Sequence, residues 1–90
     1  MDPPAVFVVT LEAVEAGAAA PLTILAFARA DTEAEAEAVA TADLADEGWT
    51  GIRPLRTAEV IDAPALPEDF RAAYGTALTW GCALIIYDEP

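Results

Sequence analysis

Runs that are apolar at almost every position alternate along the chain with stretches of helical period. Ala5-Val6-Phe7-Val8-Val9-Thr10-Leu11 is β-branched and aromatic, follows two prolines and predicts a strand. Ala16-Gly17-Ala18-Ala19-Ala20-Pro21 is too weakly patterned for a helix and ends on proline, so it predicts a turn, with a second strand following from Leu22 to Arg29. The two strands form a β-hairpin.

From Asp31 the period changes to that of a helix. Asp31 or Thr32 serves as N-cap, Thr32 and Glu35 have capping-box spacing, and Asp31, Glu33 and Glu35 put negative charge at the positive end of the helix dipole. Gly48 supplies the stop. The expected inward face is Ala34, Ala38, Thr41, Ala42 and Ala45 with Leu44 beside them, and the outward face carries Glu33, Asp43 and Glu47. So small a stripe brings the helix close to its sheet.

Trp49 to about Ile61 predicts a third strand, with Ile52, Leu55, Val60 and Ile61 apolar. Pro54 has no N–H for a ladder, which makes this an edge strand or a bent one. Pro64-Ala65-Leu66-Pro67 leads into a second helix with Pro67 in its first turn and Glu68 and Asp69 at the positive pole. Phe70, Ala73, Tyr74 and Ala77 face inward, with Trp80 flanking. Gly81 ends this helix, and Cys82-Ala83-Leu84-Ile85-Ile86-Tyr87 predicts a fourth strand, closed by Asp88-Glu89-Pro90.

The order is ββαβαβ in one domain spanning residues 1–90. It predicts an α+β fold, a two-layer sandwich in which a four-stranded sheet carries both helices on one face. In element content this is similar to ferredoxin-like small domains, although those begin strand-helix-strand and this chain begins with a hairpin. The resemblance carries no motif and implies no function.

The strands raise a difficulty for that arrangement. A sheet covered on one side has strands that alternate apolar and polar, yet Val6-Phe7-Val8-Val9, Leu22-Thr23-Ile24-Leu25-Ala26-Phe27 and Ala83-Leu84-Ile85-Ile86-Tyr87 are apolar nearly throughout. Both faces call for burial. The expectation is that the open face packs on a second copy or on another protein. The alternative is that the N-terminal segment or the 16–21 loop folds over it, or that its alanines leave it only mildly apolar.

Composition narrows the chemistry. The 90 residues (9.4 kDa) include 16 acids against four arginines, for a net charge of -12 and a pI near 4.1. There is no His, Lys, Ser, Asn or Gln, which removes Ser/His/Asp triads, imidazole bases, Schiff-base and P-loop lysines and His metal sites. Alanine accounts for 22 residues, so the larger apolar side chains make only a moderate core. The longest apolar stretch, Ala16 to Ala28, is too short to span a bilayer and contains Pro21 and Thr23. The N-terminus lacks the basic region of a signal peptide, so the expectation is a cytoplasmic protein without membrane association.

Asp31, Glu33, Glu35 and Glu37 superficially resemble a calcium loop, but the sixth and twelfth positions counted from Asp31 are Ala36 and Ala42 rather than Gly and an acid. They read as a solvated acidic face, and neither metal nor cofactor is expected. Four arginines, Arg29, Arg53, Arg56 and Arg71, are too few to neutralise phosphates, so no nucleic acid is expected. Arg53 and Arg56 read as ion-pair partners of the nearby Glu59 and Asp62, with an anionic small molecule as the alternative. Trp49 and Trp80 read as core. Cys82, directly after a helix C-terminus and with no His or Lys to activate it, reads as a packing residue.

Two functions remain from this reading. One is a non-catalytic interaction or regulatory module that forms a homodimer, or docks on a protein with a basic surface, presenting Glu33, Asp43 and Glu47. The other is a small-molecule-binding domain or cofactor-free enzyme with a pocket between sheet and helices lined by Phe7, Phe27, Tyr74 and Trp80.

Overall fold

The computed structural model describes residues 5–87, so the Met1-Asp2-Pro3-Pro4 start and the Asp88-Glu89-Pro90 close lie outside the described residues. The elements are β1 (Ala5–Val14), β2 (Leu22–Ala30), α1 (Glu33–Asp46), β3 (Thr50–Glu59), a 3-10 turn (Ala63–Ala65), α2 (Glu68–Trp80) and β4 (Cys82–Tyr87). The expected order ββαβαβ is present. β1 extends three residues beyond its expected end, because the hairpin ladder continues to Ala13 opposite Leu22.

The sheet runs β3-β1-β2-β4, and every neighbouring pair is antiparallel. The hairpin therefore occupies the centre and the two later strands are its edges. β3 pairs with β1 through an irregular register, in which Arg56 faces Thr10 while Pro54, two residues earlier, faces Leu11. Pro54 thus lies on an edge strand that is also bulged, with Leu55 as the extra residue.

The expectation that both helices share one face is corrected here. Alternate residues of β1 fall in two separate cores: Phe7, Val9, Leu11 and Ala13 pack with Ala36, Ala40 and Leu44 of α1, whereas Val6 and Val8 pack with Ala73 and Ala77 of α2. Successive strand residues point to opposite faces, so the helices lie on opposite sides of the sheet. The ladder agrees, since Val8, Phe27 and Ala83 are cross-strand partners and all three belong to the α2 side. The sheet has a helix layer on each side. The connections explain this: α1 carries the chain from β2 across β1 to the β3 edge, and the return from β3 to the β4 edge takes the face that α1 leaves free.

The apolar runs were thus a sound sign of two-sided burial, and their cover is internal. The side chains of Val6, Val9, Leu11, Ile24 and Phe27 are almost wholly removed from solvent, and no polar side chain is buried among the described residues. Each such aliphatic or aromatic side chain contributes about 1.5–3 kcal/mol relative to exposure.

α1 starts as expected. Thr32 Oγ1 accepts from the Glu35 N–H at 3.1 Å, and the Glu35 carboxylate accepts from the N–H of Asp31 at 3.0 Å, one residue earlier than a standard capping box. At its end Gly48 takes φ of +92°, the Trp49 N–H reaches Leu44 O at 3.1 Å and the Gly48 N–H reaches Ala45 O at 3.0 Å. This is a Schellman stop whose customary apolar contact is Trp49 against Leu44, both in the α1-side core.

The inward face of α1 differs from the expected one. Ala36, Ala40 and Leu44 are buried, whereas Ala34, Ala38, Ala42 and Ala45 are exposed. A helix with alanine on every side has little rotational preference of its own. Leu44, locked to Trp49 by the stop, sets the phase, and the i, i+4, i+8 row through Leu44 faces the sheet. α2 matches its expected face: Ala73 and Ala77 are buried, Phe70 and Tyr74 half-buried, and the Phe70 ring is tilted 58° against Phe27 with centroids 5.7 Å apart.

The phase of α1 is open to a direct test by urea denaturation. Ala42→Lys should leave stability within about 0.5 kcal/mol, as for an ordinary surface substitution. Ala40→Lys should cost roughly 3–5 kcal/mol by burying an unpaired charge against the sheet. The reverse ranking would place the expected inward face back on the sheet.

Candidate functional site

The residues expected to line a pocket are dispersed. Phe7 and Phe27 are buried on opposite faces of the sheet, Tyr74 is half-buried beside Phe27, and Trp80 is 81% exposed at the end of α2. No common cavity joins these four, and Trp80 is not a core residue. The Gly81 stop, with φ of +99° and its N–H on Ala77 O, turns the chain into β4 before Trp80 can fold inward.

The acids expected on one helical face also separate. Glu33 and Glu47 are exposed at opposite ends of α1, while Asp43 is half-buried on the flank toward β4. There it stands beside Cys82, on the sheet face that α1 covers. On the opposite flank Glu37 accepts from Thr57 Oγ1 of β3 at 2.9 Å. The sequence pattern could not show this, since it assigned α1 a different rotation. No group of three or more metal-ligating side chains occurs among the described residues.

Cys82 is the one conventional nucleophile near this cluster, and its surroundings suppress it. Burial above all, then the Asp43 carboxylate and Glu47 beyond it, push the thiol up to about 12 from 9.0, against a smaller lowering by the Ala83 backbone. The neutral thiol packs against the α1-side core as expected.

Two regions of the sheet are left open because each helix covers only part of its face. α1 lies over β3, β1 and β2, and α2 lies over β4 and β2. The first open region is β4 and its free edge. Leu84 is half-buried, Ile86 is 43% exposed and Tyr87 38% exposed. β4 carries no charge, no proline and no bulge, and its register with β2 is unbroken over six residues.

The second open region lies diagonally opposite, on the α2 side near β3. Val8, Thr10, Leu25, Arg56, Ala58 and Phe70 line a cavity of about 260 Å³ there. Arg53 is on the same face but is engaged: its Nη2 lies 2.6 Å from Glu12 Oε1, which replaces the expected pairing with Glu59 or Asp62. Arg56 has no ion pair among the described residues. Arg29 is structural, donating from Nη1 to Leu78 O at 2.8 Å at the negative end of α2, while its own N–H reaches Gly81 O. The sequence singled out Arg53 and Arg56, but only the β1–β3 register shows which is paired.

The suppressed thiol predicts a distinctive pH profile. Alkylation of Cys82 in the folded chain should be very slow at pH 8 and rise roughly tenfold per pH unit well past pH 9, because only the thiolate reacts. The thiol contributes stability in full below pH 9.0 and loses that contribution as pH rises toward about 12, since the unfolded chain releases this proton first. A rate plateau near pH 9 in iodoacetamide kinetics would contradict the assignment.

Compared with known proteins, the chain matches no family model, no curated protein and no solved structure.

Proposed function

We propose that this protein is a non-catalytic interaction module that associates through the free edge of β4, with a second copy of the chain as its partner. The observation that carries the reading is the contrast between the two edges of one sheet. β3 bears Pro54, a bulge and the charges of Arg53 and Arg56, the devices that discourage edge pairing. β4 bears none of them and leaves Ile86 and Tyr87 in solvent. An uncharged apolar edge is a template for strand addition.

A second copy suits the electrostatics. In a chain of net charge -12, residues 82–87 contain no acid, so two β4 strands can meet antiparallel without opposing carboxylates. A two-fold axis at Ile85 would set Leu84 of one copy opposite Ile86 of the other, covering the apolar strip that α1 leaves open. The contact replaces the sheet-face docking expected from the sequence, because helices already occupy both faces. A six-residue edge is small for an interface, so association should be concentration-dependent.

Light scattering coupled to size exclusion tests this. The dimer fraction should rise with protein concentration and also from low to molar salt, because screening relieves repulsion between two acidic chains. Ile86→Lys should shift the equilibrium at least tenfold toward monomer while Ile86→Val retains the dimer, and both should keep the wild-type circular dichroism. A monomer at every concentration and salt, or a dimer indifferent to Ile86→Lys, would overturn the reading.

A further inference from the structure

We infer that the cavity between β3 and the first turns of α2 is a binding site for a short monocarboxylate with an apolar body. Its floor is Val8 and Leu25, one wall is Phe70, and the rim is Thr10, Ala58 and Arg56. Val8, Leu25 and Phe70 are all only half-buried, so apolar surface within the fold is left uncovered at this point. The wall is held in place, since Phe70 packs on the fully buried Phe27 at 5.7 Å.

The polar groups select the ligand. A guanidinium presents a planar fork of donors that matches a carboxylate, and a hydroxyl beside it can donate as well. Arg56 and Thr10 are cross-strand partners on this face, so both reach the same rim. The neighbouring carboxylate, Glu12, is already held by Arg53 at 2.6 Å, which leaves the Arg56 charge for a ligand. The net charge of -12 repels anions from a distance, but at physiological ionic strength that field is screened beyond about 8 Å. At about 260 Å³ the space lies just below the ~300–1,000 Å³ of sites for drug-sized molecules, which points to a ligand of hexanoate or phenylacetate size. A positive head over an apolar floor excludes amines and favours acids over the corresponding alcohols. This site lies on the β3 side of the sheet, so it does not depend on pairing at the β4 edge.

Titration of the isotopically labelled chain with hexanoate, hexanol and hexylamine, followed by amide NMR shifts, tests the assignment. Hexanoate should give saturable shifts concentrated at Val8, Thr10, Leu25, Ala58 and Phe70 with a dissociation constant of about 1 mM, and hexylamine should give none there. Arg56 is exposed, so Arg56→Gln should keep the folded spectrum while weakening hexanoate roughly tenfold and leaving hexanol unchanged. Ala58→Leu, which fills the rim, should weaken both. The inference is overturned by unsaturable or scattered shifts for hexanoate in the folded protein. Equal binding of hexylamine, or Arg56→Gln binding hexanoate as tightly as the wild type, would overturn it too.

Discussion

The structure depends on one constraint: a central hairpin that is apolar on both faces has to be covered twice within ninety residues. β1 and β2 alternate their side chains between two cores, and neither core closes without its own helix. Cover costs little bulk on the α1 side, because Ala36 and Ala40 let the helix approach the sheet closely, with Val39, Leu44 and Trp49 as the larger side chains of the cover. On the α2 side Phe27 and Phe70 do more of the filling. The sheet order follows from the same constraint, since two helices on opposite faces carry the chain outward to one edge and back across to the other.

Each helix is too short and too displaced to cover a whole face, so the uncovered regions sit diagonally across the sheet. They differ in chemistry because their strands differ. β4 is uncharged and regular, and its exposed side chains are Ile86 and Tyr87. β3 is bulged at Leu55 and carries Arg53 and Arg56, half of the arginines in the chain. The proposed partner strand belongs to the first region and the proposed anion site to the second. Both lie at the margins of a core that is otherwise closed.

The acidity of the chain acts mostly at a distance. Where acids touch other groups they do local work: Glu35 caps α1, Glu12 engages Arg53, Glu37 meets Thr57, and Asp43 helps hold the Cys82 thiol protonated. No basic residue lies in the last turn of α1 or of α2, and only Arg29, reaching across from β2, offsets the negative end of α2. The remaining carboxylates form a field that opposes self-association at low salt, which is why the proposed contact lies on an uncharged strand.

Elements and their ends were legible in the sequence because they rest on local rules. β-branched runs marked the strands, Thr32 and Glu35 marked a helix start, Gly48 and Gly81 marked two stops, and Pro54 marked an edge. The need to bury both faces of the sheet was legible too. Which face each helix took was not, because a helical stripe says that it is buried and not against what. The phase of α1 was not legible either, since alanine on every side leaves the rotation to a contact between Leu44 and Trp49 that exists only once the stop has folded. For the same reason a pocket inferred from Phe7, Phe27, Tyr74 and Trp80 dissolved: aromatic residues close in composition were divided by the sheet or left outside it. The sequence by itself determined a two-sided apolar hairpin, two helices with their ends, and a chain without His, Lys, Ser, Asn or Gln. Only tertiary structure decided which strands became edges, which of Arg53 and Arg56 found an ion pair among the described residues and where cover ran out, because those depend on register and layering between segments far apart in the chain.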